Sequence, residues 1–141
     1  MSRYVNEVVS NVYISSYTEA FDDTLLKKIG ITHIINLSEL GNMFPNDFVY
    51  YKIDIDDIET ENISKYFDNT NKFIENALFH DDKVLVHCYA GISRSATIVM
   101  SFLMYKYGLS TDDALNFLRQ VRPIVNPNSG FISQLYQYYG R

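Results

Sequence analysis

Residues 84–95, VLVHCYAGISRS, constrain the fold of this chain more than any other stretch. VLVH has apolar, largely β-branched character and reads as a buried strand. It runs straight into His87-Cys88 and a small, glycine-bearing segment that ends at Arg94-Ser95. An apolar helix then follows from about Ser95 to Tyr107 and stops at Gly108. A strand, a tight loop and a helix in that order are the unit from which α/β sheets are built.

The rest of the chain supplies matching pieces. VVSNVYISS (8–16) reads as one or two short strands around a turn, and FDDTLLKKIG (21–30) as a short helix with early acids, late lysines and a closing glycine. THIINLS (32–38) and VYYKIDI (49–55) are strand candidates, separated by a turn-rich stretch with Gly41-Asn42 and Pro45-Asn46. From Ile63 the period becomes helical: Ile63, Tyr66, Phe67, Thr70, Phe73, Ile74, Ala77 and Leu78 share one face, with Asn62 or Ser64 as the cap. Ser110 caps another helix, with Asp113 three residues on, and a last helix runs from about Ser129 to Tyr139 after Pro123 and Pro127. The expected fold is α/β: a central, mainly parallel, twisted sheet flanked by helices. In such sheets ligands sit beyond the carboxyl ends of the strands, which puts Cys88 at the functional rim.

Length and charge narrow the function classes. At 141 residues the chain is expected to form one domain with a substantial core. A formal net charge of −5 argues against a nucleic-acid partner or attraction to an anionic membrane. No window resembles a membrane span or a signal peptide, so no membrane insertion is expected. A single cysteine forms no internal disulfide, and the simplest setting is the reducing cytoplasm, with the nucleus also open to the protein. Oligomeric state leaves no mark in the sequence. His33 falls in a strand and His80 in a turn, and no His/Cys/Asp spacing calls for a metal or other cofactor.

The loop itself has a definite chemistry. Its backbone N–H groups converge at a helix N-terminus, where an anion is favoured. Arg94 adds a planar fork that matches two oxygens of a phosphate. Cys88 lies in the same positive field, and helix N-termini and cations favour the thiolate that acts as a nucleophile. The alternative is a small buried hydrophobe, the usual fate of a free cysteine. His87, Cys88, Gly91, Arg94 and Ser95 coincide in a given window by chance at roughly 1 in 10⁶, taking each at about one in twenty. The combination therefore outweighs that alternative.

HCYAGISRS resembles the signature H-C-x5-R-S/T of the cysteine-dependent protein tyrosine phosphatase superfamily, and in its fuller form H-C-x-A-G-x-S-R-S the small, atypical dual-specificity branch. NVYISS, ITHIINLSE and RPIVNPNSGFISQL (122–135) are similar to further segments of that branch, so the resemblance spans nearly the whole chain; Ser15 stands where the branch often has glycine. The resemblance implies that residues 1–141 form one catalytic domain with a phosphate-binding loop between a strand and a helix. It implies Cys88 as nucleophile and Arg94 with the loop N–H groups of Tyr89, Ala90, Gly91, Ile92, Ser93 and Arg94 as phosphate ligands. Ser95 is then the hydroxyl that bonds the sulfur, and His87 an organiser of the loop.

A leaving oxygen needs a proton, and KIDIDDIETENIS (52–64) offers Asp54, Asp56, Asp57, Glu59 and Glu61. Asp54 fits best in the strand pattern. In the resemblance the acid lies a few residues before an Asn-Ile-Ser helix start, which lands on Asp57, with Asp56 next. Arg122 and Asn128 lie in the matched C-terminal segment and are placed at the pocket border; for Arg122 a packing or surface role stands level with a pocket role.

The implied function is metal-independent hydrolysis of phosphotyrosine and phosphoserine/threonine in phosphorylated protein substrates, through a phosphocysteine. One alternative is a phosphatase of phospholipid, RNA 5′-phosphate or glycan. It is weakened because Tyr89, Ala90, Ile92 and Ser93 add no cation to the loop. The other, a phosphate-binding pseudophosphatase, would normally lack the cysteine, the arginine or the acid.

Overall fold

The structure is a computed structural model that describes residues 5–141. Its centre is a five-stranded sheet: β1 (Asn6–Val9), β2 (Val12–Ser15), β3 (His33–Asn36), β4 (Val49–Lys52) and β5 (Val84–His87), in spatial order β1-β2-β5-β3-β4. β2, β5, β3 and β4 run parallel, and β1 pairs antiparallel with β2 at one edge. The stretch expected to hold one or two strands is thus a hairpin, turned at Asn11 with φ 68, a conformation asparagine tolerates better than most residues.

The parallel strands are apolar on both faces because both faces are covered. Val12, Ile14, Ile35, Val84 and Val86 point into the larger core, whereas Tyr13, Ile34 and Leu85 point into the smaller one. The smaller core is closed by Leu26 of α2 (Asp23–Ile29) and Ala20 of a one-turn helix, α1 (Tyr17–Ala20). The larger is closed by α3 (Phe67–Phe79), α4 (Arg94–Tyr107), α5 (Thr111–Val121) and α6 (Ser129–Tyr139). Every residue of α4 from Arg94 to Met104 is buried, which makes it the central helix of that layer. No helix among the described residues is long and apolar enough to cross a membrane.

Three local expectations need correction. Neither Asn62 nor Ser64 caps the helix after Ile63. The Ser64 hydroxyl instead bonds Asn62 Oδ1 at 2.8 Å, and a 3₁₀ turn, Ser64–Tyr66, winds directly into α3. The strand expected over 49–55 ends at Lys52, because its partner β3 ends at Asn36. There the Asn36 side chain accepts the Ser38 N–H at 3.0 Å and bends the chain away. Helix α1 was absent from the expectations; Ser16 caps it by accepting the Thr18 N–H.

Candidate active site

The apolar run of β5 delivers Cys88 to the carboxyl end of the sheet, and α4 begins six residues later at Arg94. Between them the loop curls around the sulfur. The Gly91 N–H donates to Cys88 Sγ at 3.3 Å, and Ser95 Oγ lies 3.2 Å from the same sulfur. Gly91 has φ 70, and a Cβ there would lie 2.6 Å from Arg122 Nη2 and 2.7 Å from the Ser15 carbonyl oxygen. Glycine is required at this position on both counts, the positive φ and the lack of room.

Arg94 is buried beneath the loop. Its Nη1 donates to Glu39 Oε1 at 3.0 Å and to the Ile55 carbonyl at 3.2 Å, which fixes the guanidinium plane. Its Nε is, among the described residues, the buried side-chain polar atom left without a partner. A buried charged donor with no acceptor is costly, and an oxyanion is the kind of acceptor that offsets the cost. Glu39 is held below its ordinary value chiefly by its own backbone hydrogen bond; desolvation opposes this, and the hydrogen bond and charge of Arg94 reinforce it. It therefore remains an anionic clamp.

Arg122, left undecided by the sequence, is buried and packs under the loop. Its Nε donates to the Gly91 carbonyl at 2.9 Å and its Nη2 to the Ala90 carbonyl at 3.4 Å. Burial lowers its pKa, while the charges of Glu19 and Cys88 oppose the shift. By drawing two loop carbonyls inward, Arg122 leaves the loop's amides free to turn the other way. On the outer side Tyr89 stacks on Tyr17, with ring centroids 4.6 Å apart, and the Tyr17 N–H bonds the Tyr89 carbonyl. Neither the Tyr17 contact nor Glu39 was anticipated, since each partner lies far from the motif in sequence.

His87 is buried, and its Nδ1 lies 3.2 Å from the Cys88 carbonyl. Desolvation pushes its pKa down to about 4; the bond to Cys88 opposes this, and the charges of Lys52 and Arg94 reinforce it. The ring is thus neutral near pH 7 and serves as a fixed donor to the loop. An unfolded histidine takes up a proton below about 6.5, whereas this one resists until about 4. Stability is therefore intact above the unfolded value and declines as pH falls through that window. His87 is expected to withdraw on the order of 3 kcal/mol between pH 7 and pH 4. Urea unfolding of wild type and His87→Asn at both pH values checks this: the variant should show the shallower pH dependence, and equal slopes would refute it.

The acidic segment separates into distinct roles. Asp54 is exposed and pairs with Lys52 Nζ at 2.6 Å. Asp56 contributes its backbone N–H to Glu61 Oε1 at 2.8 Å. Asp57 alone is tied toward the loop: its Oδ1 accepts from Asn128 Nδ2 at 2.9 Å, and the Asn128 N–H donates to Ser93 Oγ at 3.0 Å. Ser38, Glu39, Asp54, Ile55, Asp56 and Glu61 line a cavity of about 210 Å³ that borders Arg94 through Glu39 and Ile55. His33 and His80 lie elsewhere, His33 edge-on to Phe73 and His80 bonded to the Asn76 carbonyl. Among the described residues no cluster of three His, Cys, Asp or Glu side chains is arranged to hold a metal ion.

This arrangement brings a sulfur, the Gly91 N–H, a clamped guanidinium and, through Asn128, the carboxyl of Asp57 to one end of the sheet. Comparison with known proteins identifies the family. Residues 12–141 match the family model described as dual specificity phosphatase, catalytic domain. Dual specificity protein phosphatase 1B of Arabidopsis thaliana is 38% identical over 135 residues, covering 95% of this chain and 81% of that protein. Protein phosphatase Slingshot homolog 3 of Mus musculus is 37% identical over 136 residues, but the match covers 21% of its length. The chain therefore spans about a fifth of that larger relative. Among solved structures, the human tyrosine phosphatase-like serine/threonine/tyrosine-interacting protein superimposes with a TM-score of 0.95 at 35% identity, covering 99% of this chain and 97% of that one.

Proposed function

The chain belongs to the dual-specificity phosphatase family, whose catalytic domain it carries, and we propose that it hydrolyses phosphotyrosine and phosphoserine/threonine monoesters of proteins through a phosphocysteine. The unpartnered Arg94 Nε, buried beside the Cys88 loop, is the observation that carries this reading, since a charged donor without an acceptor suits a phosphoryl oxygen.

The reaction has two steps. Cys88 Sγ, as thiolate, attacks phosphorus; the S–P bond forms as the P–O bond to the leaving group breaks, and Asp57 gives that oxygen its proton. Arg94 and the loop amides from Tyr89 to Arg94 hold the equatorial oxygens through a loose transition state. Water then attacks the phosphocysteine, with Asp57 as the base that takes its proton. The Ser95 hydroxyl, 3.2 Å from the sulfur, stabilises the departing thiolate. His87 stays neutral throughout and keeps the loop in place. A thiol nucleophile needs a reducing compartment, so the cytoplasm, with or without the nucleus, is part of the proposal.

The border of the site favours protein over polyanionic substrates. Glu39, Asp54, Asp56 and Glu61 surround the adjoining cavity, and a second phosphate placed there meets like charge. A phosphoinositide headgroup or an RNA strand brings such extra phosphates, whereas a single phosphorylated side chain does not. A pseudophosphatase reading finds no support in a site that retains the cysteine, the arginine and the acid.

The test is turnover in EDTA of phosphotyrosyl and phosphothreonyl peptides, set beside phosphatidylinositol phosphate vesicles and 5′-phosphorylated RNA. Peptides are expected to give the highest kcat/KM, by at least about tenfold, the scale of one unfavourable charge contact. Faster lipid or RNA hydrolysis would reassign the substrate class. Phosphate binding without turnover of any of the four would make the protein a recognition module.

A further inference from the structure

We infer that Asn128 is the positioning residue for the general acid, a single side chain that joins Asp57 to the phosphate-binding loop. The inference rests on the proposed role of Asp57 and concerns what holds that carboxyl in place.

Three of the hydrogen bonds of Asn128 together leave its side chain one orientation. As N-cap of α6, its Oδ1 accepts the Phe131 N–H at 2.9 Å. With the amide oxygen committed to the helix, Nδ2 must face the other way, where it donates to Asp57 Oδ1 at 2.9 Å. Its backbone N–H donates to Ser93 Oγ at 3.0 Å, inside the loop that follows Cys88. The amide is therefore fixed by the helix, and the helix is fixed to the loop. Asp57 is exposed, and such a side chain samples several rotamers unless something holds it.

The neighbouring turns of α6 seat the rest of the acidic segment. Ser129 Oγ donates to Glu59 Oε1 at 2.8 Å, and Gln134 both donates to the Glu61 carbonyl and accepts the Ser64 N–H, each at 2.9 Å. A Cβ on Gly130 would lie 2.0 Å from the Glu59 carbonyl oxygen, so the segment's backbone rests directly on the helix. The acid segment is docked along α6, and Asn128 is the contact that reaches the reacting carboxyl.

This geometry has a chemical consequence beyond position. With Oδ1 occupied by the amide, the transferable proton belongs on Oδ2. Without that donor the carboxyl is no longer held against the leaving-group oxygen, and the loss falls on kcat.

Three variants test the inference. Asn128→Ala is expected to lose roughly tenfold in kcat/KM on a phosphotyrosyl peptide, the scale of one hydrogen bond to a charged group. It should lose little on p-nitrophenyl phosphate, whose leaving group needs less protonation, and the loss should fall on kcat rather than KM. Asn128→Asp keeps an acceptor for the Phe131 N–H but replaces the donor with a charge facing Asp57. It should show the same selective loss with an unchanged Tm, which separates positioning from helix stability. In an Asp57→Ala background, Asn128→Ala should change nothing further. Equal losses on both substrates, a loss carried by KM, or a further loss in that background would overturn the inference. If Asp57→Ala alone spares the phosphotyrosyl peptide, the role of Asp57 is what has failed.

Discussion

Cys88→Ser is expected to lower kcat for phosphotyrosyl peptides by more than about 10⁴-fold, the scale seen when an enzyme nucleophile is removed, while phosphopeptide binding persists. The reason lies in what the substitution leaves intact. A serine oxygen at this position still faces the Gly91 N–H and the Ser95 hydroxyl, so the loop keeps its curl. Arg94 remains clamped between Glu39 and the Ile55 carbonyl, with Nε available to a phosphoryl oxygen. What disappears is an ionisable nucleophile, because a serine hydroxyl lacks a base beside it and His87 is turned to the Cys88 carbonyl. Steady-state kinetics and calorimetric titration with a phosphopeptide measure the two halves separately. Turnover within about tenfold of wild type would mean that water attacks phosphorus directly.

Asp57→Ala is expected to slow hydrolysis of phosphotyrosyl peptides by about 10²–10⁴-fold, the usual contribution of a general acid. The loss should shrink for good leaving groups, and the basic limb of the pH–rate profile should flatten. Asp56→Ala serves as the control, because Asp56 enters the network through its backbone N–H, which alanine retains. If Asp56→Ala gives the larger loss, the acid has been placed one residue too late. With the nucleophile intact and the proton donor gone, the Asp57→Ala protein also retains its substrates, and phosphoproteins captured with it identify them.

The chemistry was legible in the sequence because it is contiguous. Strand, loop and helix from Val84 to Tyr107 obey local rules: β-branched residues, then a glycine at positive φ, then an apolar helix closed by Gly108. What sequence did not disclose depends on partners far along the chain. Arg122 reads as a surface or pocket arginine until its bond to the Gly91 carbonyl, 31 residues away, is seen. Glu39 sits in a turn with nothing to connect it to Arg94, 55 residues on. The caps expected at Asn62 and Ser64 failed for a related reason: these side chains bond each other, and Gln134 takes the Ser64 N–H from outside the segment. Periodicity reports what a residue shares with neighbours within a turn or two. It is silent on distant pairs, and the supports of this site are distant pairs.

The docking of the acid segment on α6 also sets an order of assembly. Cys88 and Ser95 are 7 residues apart, whereas Asp57 and Asn128 are 71 apart, and Ser64 and Gln134 are 70 apart. Short loops close at less entropic cost than long ones, so the contacts of Gly91 and Ser95 with the sulfur gather from nearby chain, while the clamp on Arg94 and the seat of Asp57 wait for remote segments to meet. Because α6 also buries Phe131 and Leu135 in the larger core, the acid segment is seated only as that core closes, and the site is completed together with the fold rather than ahead of it.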